Sequence, residues 1–590
     1  YDPAGTAIAD VLINYAYAGK DVVYAEDVCG ENIVTLNAYD NTKSAIENAN
    51  KGAFKDKTTH ADLLDPDCIN CDDPGTMTPG RWTVVNTVSS CVGAYSFSND
   101  TNPNATFTGD PGIYTLRWTV GPFGLNNDGF CSDDVIVEIT NCEIVDFDGI
   151  DDHVTFNNNY NLTPAFSIEC WIKPDATTNS NGTNNAIQTI LSKRNAFASN
   201  YNKNGYDLRL VNNKVSFRWN ESGFIESAFP IGTDRWYHIA ITRTVGSNNN
   251  TSIYRMYIDG IPVASNTGSA PSSNTNECIL GAMAQTGNPP NKPVNYFSGW
   301  IDEVRIWKQT LSVEHIRQMM NQRIDASAAN VMGDVTKMIV RGLDADKNTI
   351  DDNPVTWANL MGYYRMDPSS ISCGYLQPYA LKGAAGKLRN IASEQEDSAP
   401  LPYTTSGGIG DWNDTSGSSP WTYGSTVWDH PNAIGIDGIT DIDWNIVQIS
   451  HDVKSIRSQH TSTTKNLTLL GLLVDSGELT ITDTGTEDEN NFGQGLTVTH
   501  YLKLDGQIDL IGESQLVQKR YTPSQFSEGI LDPVSSGYLE RDQQGSVNKY
   551  NYNYWSSPVG ARNNTVNNQP ITLLSNKLDG TYTSNPKTIN

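Results

Sequence analysis

Basic residues are the first scarcity. Forty Lys and Arg stand against 67 Asp and Glu, which leaves a formal net charge of −27 over 590 residues. Nucleic-acid and anionic-membrane binding both draw on clustered Lys and Arg, so the chain is expected to bind neither. Long hydrophobic runs are missing too: no stretch reaches 18 consecutive apolar residues, and no membrane span is predicted. No signal peptide is read at the start, where Tyr1-Asp2-Pro3-Ala4-Gly5 looks like linker; the chain reads as a mature or trimmed fragment. Histidine is rare, with eight in all, and there is no His-Glu-x-x-His run, no Gly-x-Ser-x-Gly elbow and no Walker-type glycine loop. Those absences remove the commonest metalloprotease, α/β-hydrolase and nucleotide-binding signatures.

What is present is polar and turn-rich. Only 38% of residues are apolar, yet there are 27 Tyr and 13 Trp. Aromatic and β-branched residues set between Gly, Asn, Thr and Ser are the composition of short strands joined by many loops, not of a disordered chain. The length suggests roughly three to five domains. Acidic loops suit Ca²⁺, which takes oxygen ligands, although the same charge also serves simply to keep a large surface protein dissolved. Of nine cysteines, six come early: Cys29, Cys68, Cys71, Cys91, Cys131 and Cys142; Cys170, Cys278 and Cys373 follow. The early six are disulfide candidates and point to an oxidising compartment. Six cysteines allow 15 pairings, so connectivity stays open, with Cys29–Cys131 the expected pair. Cys68-x-x-Cys71 lacks the second half of a four-cysteine zinc site.

Residues 1–20 read as linker and 21–142 as one β-sandwich. Val135, Val137 and Ile139 share one face of a late strand, as do Tyr114, Leu116 and Trp118 of Asp110-x-Gly112-x-Tyr114-x-Leu116-x-Trp118. A Tyr at a strand entrance, bonding its hydroxyl back to the turn, is a tyrosine corner, and the run resembles immunoglobulin-like surface modules. Residues 55–75 look like an acidic loop insertion.

Residues 143–330 show five ordered phrases: Phe147-Asp148-Gly149-Ile150-Asp151-Asp152, Phe166-Ser167-Ile168-Glu169-x-Trp171-Ile172, Trp236-Tyr237-His238-Ile239-Ala240, Tyr257-Ile258-Asp259-Gly260, and Gly299-x-Ile301-Asp302-Glu303-Val304-Arg305-Ile306-Trp307. Asp259-Gly260 is a hairpin-turn signal, and Ser312 can cap a helix from about Val313 to Gln322. Together the phrases resemble the laminin-G-like, concanavalin A-like jelly roll of bacterial surface proteins. That resemblance implies two stacked antiparallel sheets with the first and last strands adjacent.

Residues 331–410 read as an extension and linker. In 411–520, Leu467, Leu469, Leu473, Gly477, Leu479 and Ile481 recur 29 residues later as Leu496, Val498, Leu502, Gly506, Ile508 and Leu510. This suits a β-helix or solenoid; a wide sandwich with two similar hairpins is the competing fold. Glu487-Asp488-Glu489-Asn490-Asn491 is then an insertion loop. Residues 521–590 form a tail whose phrase from Tyr552 through Val559 resembles what precedes the sorting domain of proteins exported by the type IX secretion system of Bacteroidetes. The expected fold class is therefore all-β and multidomain: immunoglobulin-like sandwich, laminin-G-like jelly roll, then a β-helix-like segment.

The jelly-roll resemblance also suggests a site. Asp148 on the first strand and Asp302 on the last would come together and hold a structural Ca²⁺; the alternative is that Asp148 caps its turn and Asp302 bonds to Arg or backbone groups. Asp151 and Asp152 are expected to stay in solvent. The Glu-x-Asp-x-x-Glu spacing of laminarinase-like jelly rolls is absent. Val427-Trp428-Asp429-His430 is one residue short of the pectate-lyase Val-Trp-x-Asp-His pattern. His153, His238, His451 and His500 lie in or beside strand-like runs and are expected to pack or hydrogen-bond. Trp219 and Tyr254 are the aromatics best suited to stack on sugar, but core packing is the expected role for both.

The resulting expectation is a secreted or cell-surface, adhesin-like protein without catalysis. It would bind extracellular glycan or a surface protein through several modest modules, with the type IX translocon and its shuttle components as partners during export. The alternative is a polysaccharide-acting enzyme, with a β-helix lyase or hydrolase domain and the jelly roll as its carbohydrate-binding module.

Overall fold

The computed structural model describes residues 18–19, 21–23, 33–38, 80–88, 91, 94–123, 129–139, 144–175, 187–196, 204–248, 251–285, 292–342, 353–396, 398–407, 409–414, 419–422, 429–460, 464–484, 491–518 and 535–541. The chain forms two compact units. The first comprises Tyr1–Tyr257, Pro262–Thr310 and Asn359–Ser398; the second comprises Ile258–Ile261, Leu311–Ala358 and Ala399–Asn590.

The first unit begins with a sandwich. A four-stranded sheet runs in the order Val22–Val23, Gly129–Ile139, Gly112–Phe123, Arg81–Val88, and a three-stranded sheet in the order Ile33–Thr35, Thr106–Gly109, Tyr95–Phe97. Both line one core, where Tyr114, Leu116, Trp118 and Val120 alternate inward beside Trp82 and Phe107. The Tyr114 hydroxyl donates to the Asp110 carbonyl at 2.5 Å, which closes the expected tyrosine corner.

Two larger antiparallel sheets follow and make the concanavalin A-like jelly roll. The front sheet has the order Ile261–Thr267, Ile253–Ile258, Tyr237–Thr244, Phe166–Pro174, Ser298–Trp307, Leu360–Tyr364. The nine-stranded back sheet runs from Gly223–Pro230 through Lys214–Trp219, Tyr206–Val211, Ile187–Ser192, Ile279–Leu280 and His153–Thr155 to Gly386–Arg389, Tyr375–Leu376 and Ile371–Ser372. Phe166 of the front sheet meets Phe217 of the back sheet, ring centroids 6.0 Å apart. Trp219 stacks on Tyr254 at 3.8 Å, and the two are 2% and 0% exposed, so both belong to the core. The first strand, Phe147–Asp148, pairs antiparallel with the start of Ser298–Trp307, the adjacency that the resemblance implied. Residues 360–389, expected within an extension, supply strands to both sheets.

In the second unit, Ser312 caps the helix Val313–Met320 by accepting from the His315 amide, with Glu314 in the first turn. Two five-stranded parallel sheets then alternate along the chain: Tyr403–Thr404, Ile446–Ile449, Leu467–Val474, Gly495–Leu504, Gln515–Gln518 in one, and Gly410–Asp411, Val453–Ile456, Glu478–Thr482, Gln507–Leu510, Tyr538–Arg541 in the other. The ladders pair Leu467 with Leu496, Leu469 with Val498, Leu479 with Ile508 and Ile481 with Leu510, all 29 residues apart. A register shift between Leu469 and Gly471 moves the partner of Leu502 from the expected Leu473 to Leu472. Hairpins pair antiparallel, whereas these ladders are parallel.

Candidate functional site

Gly149 takes φ +79°, and a Cβ there would lie 2.9 Å from Ser298 Cβ. This glycine turn folds the chain back on itself directly after the first strand. The Asp148 Oδ1 accepts from the amides of Ile150 at 2.7 Å and Asp151 at 3.3 Å, while Asp152 Oδ2 accepts from the Asp148 amide at 3.0 Å. Ligand atoms of Asp148, Asp151 and Asp152 consequently lie within 4.8 Å of one another. Asp152 is only 2% exposed rather than in solvent as expected. Burial foremost, then the charge of Asp148, pushes its carboxyl up to about 8, with Asp151 and Asp146 adding to the rise. His153, next in sequence, donates from Nδ1 to the Asp151 carbonyl at 2.7 Å, and burial holds it down to about 4, hence neutral. Half-buried Tyr296 has its ring 6.0 Å from that of His153, and its hydroxyl is raised by burial and by the same three carboxylates.

Asp302 lies elsewhere. In register Asp148 stands opposite Ser298, whereas Asp302 stands opposite Trp171 further along the same strand. It is 1% exposed, and its Oδ1 accepts from the Glu303 amide at 2.8 Å. The acidic cluster is thus Asp148 with Asp151 and Asp152, and does not include Asp302. Its chemistry fits a hard cation: three carboxylates converge, and one is held protonated by burial foremost and then by the charge of its neighbours, a repulsion that a divalent ion would relieve.

The front sheet carries a second polar cluster on its buried surface. Glu169 Oε1 accepts from Trp307 Nε1 at 3.2 Å and from Arg305 at 3.4 Å. Arg305 also donates to Glu303, which accepts from the Tyr363 hydroxyl at 2.7 Å. His238 Nε2 lies 3.7 Å from Glu169 Oε2 and is pushed down to about 3 by burial and by Arg305. Both carboxylates are 2% exposed or less and engaged by one guanidinium, which suits an internal clamp rather than an acid–base pair awaiting substrate.

The cysteines divide differently from the expectation. Cys91 pairs with Cys373, a residue outside the early cluster. Cys29, Cys68, Cys71 and Cys142 lie outside the described residues, and Cys131 is described only as backbone within Gly129–Ile139. Cys170 and Cys278 are buried thiols, and burial pushes Cys278 up to about 12. The loop 55–75, residues 487–490 and the phrase Tyr552–Val559 also lie outside the described residues.

Residues 148–317 match the family model described as the Concanavalin A-like lectin/glucanases superfamily. Among solved structures, the chain is similar to a heptameric SAP-like pentraxin from Limulus polyphemus, at 15% identity and TM-score 0.23 over 29% of this chain and 79% of that one. It is similar to a putative carbohydrate binding protein from Bacteroides ovatus, at 12% identity and TM-score 0.27 over 64% and 96%. It is also similar to an endo-1,3-beta-glucanase from Streptomyces sioyaensis, at 13% identity and TM-score 0.18 over 39% and 97%. A search of the curated proteins finds no match. The class defined here is a multidomain all-β protein with a lectin/glucanase-like jelly roll.

Proposed function

We propose that this chain is a secreted or cell-surface, adhesin-like protein that binds glycan through its jelly roll, with Ca²⁺ at the Asp148–Asp152 turn. The observation that carries the reading is the convergence of three carboxylates beside a half-buried Tyr296, on a fold matching a lectin/glucanase model. Ca²⁺ takes six to eight oxygens at about 2.3–2.6 Å. Asp148, Asp151 and Asp152 would hold the ion and leave positions that neighbouring sugar hydroxyls can fill. The Tyr296 ring offers an apolar face for the sugar. Export by type IX secretion is part of the same proposal and rests on the Tyr552–Val559 phrase.

The enzyme alternative gains little from the solenoid-like segment, whose coils bury Leu467, Leu469, Leu479, Ile481, Leu496, Val498, Ile508 and Leu510. The test is a glycan array probed with the whole chain in millimolar Ca²⁺ and again in chelator. The expected result is binding that chelator abolishes and that the triple variant D148N/D151N/D152N loses. Silence in Ca²⁺, or binding indifferent to chelator and to the variant, would overturn the proposal.

A further inference from the structure

The acidic turn is wrapped by a segment far from it in sequence. His153–Thr155 begins directly after Asp152, and Gly386–Arg389 pairs with it antiparallel: Lys387 stands opposite Thr155, Leu388 opposite Val154 and Arg389 opposite His153. The chain beyond that strand then bonds to the turn itself. Asn390, at φ +62°, donates from Nδ2 to the Asp151 carbonyl at 3.4 Å. Ser393 Oγ donates to Asp146 Oδ2 at 2.8 Å, and the Gln395 amide donates to the Val145 carbonyl at 3.0 Å.

The same segment is anchored at its other end. Cys373 and Gly374, at φ +53° and +73°, form the turn between Ile371–Ser372 and Tyr375–Leu376, and Cys373 is bonded to Cys91. Tyr375 stands opposite Lys387 and Leu376 opposite Gly386, and the Leu388 amide donates to the Gly374 carbonyl at 3.0 Å. Paired backbone therefore runs without a break from the disulfide, through Gly386–Arg389 and His153–Thr155, to the three carboxylates.

Resting on the Ca²⁺ reading of that turn, we propose that the Cys91–Cys373 disulfide, with Asn390 and Ser393, positions the cation site: it holds Asp148, Asp151 and Asp152 in the arrangement that takes the ion. Three carboxylates within 4.8 Å of one another repel, so the turn without a cation is driven to open. Asn390 and Ser393 oppose that opening from outside the turn. A covalent tether between residues 282 positions apart limits how far their segment can depart when those bonds break. A site ordered in advance binds more tightly because less ordering remains to be done on binding. The coupling is reciprocal: whatever the disulfide adds to Ca²⁺ affinity, Ca²⁺ adds to the disulfide's resistance to reduction.

The experiment uses the whole chain at a temperature where each form is folded. Calorimetric titration with CaCl₂ compares the unaltered chain, C91S/C373S, and N390G/S393A, which keeps the disulfide but removes two side-chain bonds to the turn. Each variant is expected to bind Ca²⁺ about 5–150-fold more weakly, the usual span of coupling between sites. A disulfide that served stability alone would lower the melting temperature and leave the affinity of the folded chain unchanged. A second readout needs no variant: reduction of Cys91–Cys373 by a phosphine, followed by alkylation and mass spectrometry of those two cysteines, is expected to be slower in Ca²⁺ than in chelator. An affinity unchanged in either variant, or equal reduction rates, would overturn the positioning role while leaving the Ca²⁺ site standing. Absence of Ca²⁺ binding by the unaltered chain would overturn both.

Discussion

Asp152 shows how a single buried carboxyl couples the acidic turn to pH. Its ordinary value of 3.8 is raised to about 8 in the folded chain. The folded state therefore holds the proton more tightly than the unfolded state does. The stabilising contribution is complete below the unfolded value and is lost as pH rises from about 4 towards 8. At about 1.4 kcal/mol per unit, the whole loss is on the order of 5 kcal/mol. In chelator, the melting temperature should fall across that window; D152N should flatten the fall, and so should Ca²⁺, which favours the ionised form. A pH–Tm series on both proteins checks this, and equal slopes would remove Asp152 as the cause. The sequence displayed these residues, with three acids in five positions around Gly149, but not their burial. Asp152 read as solvated because its burial, to 2% exposed, depends on packing that the local pattern does not show. Asp302 was legible as part of the closing strand, yet its position along that strand relative to Asp148 depends on register.

Among elements, the coils of the second unit are set by glycine as much as by leucine. A Cβ on Gly506 would lie 2.6 Å from the Gly477 carbonyl oxygen, and one on Gly537 would lie 2.0 Å from that of Gly506. Successive turns therefore stack too closely at this column for any side chain. Gly506→Ala should destabilise the second unit by about 1–3 kcal/mol, the usual cost of overpacking, read as a lower urea midpoint. An unchanged midpoint would mean that the column relaxes freely. The repeat itself was readable because the inward leucines recur with the glycine at one offset. The one-residue slip at Leu472 was not, because a register shift leaves the composition intact. The buried front-sheet cluster was hidden for a related reason: Glu169, Glu303 and Arg305 sit on two strands whose pairing brings them together.

For the whole molecule, the disulfide Cys91–Cys373 joins residues 282 positions apart within the first unit. It links the amino-terminal sandwich to the segment that completes the jelly roll's back sheet. C91S/C373S, or reduction, should cost about 2–5 kcal/mol of stability, a range typical of native disulfides, measured as a shift in the denaturation midpoint of that unit. No shift would mean that noncovalent contacts hold the segment unaided. The pairing was open in the sequence because cysteine spacing does not encode connectivity, and Cys373 stood far from the early cluster.

What the sequence determined by itself follows from local pattern for the all-β character, the tyrosine corner, the capped helix and the 29-residue recurrence, and from a family resemblance for the jelly roll with adjacent first and last strands. Each depends on residues a few positions apart, or on motifs in a fixed order. What only the tertiary structure decided depends on residues far apart in the chain: the return of residues 360–389 to the jelly roll, the Cys91–Cys373 bond, and the clamp of Glu169 and Glu303 on Arg305. Burial, charge and ligand geometry at those places come from through-space proximity, which strand pairing and loop paths establish after the local pattern has been satisfied.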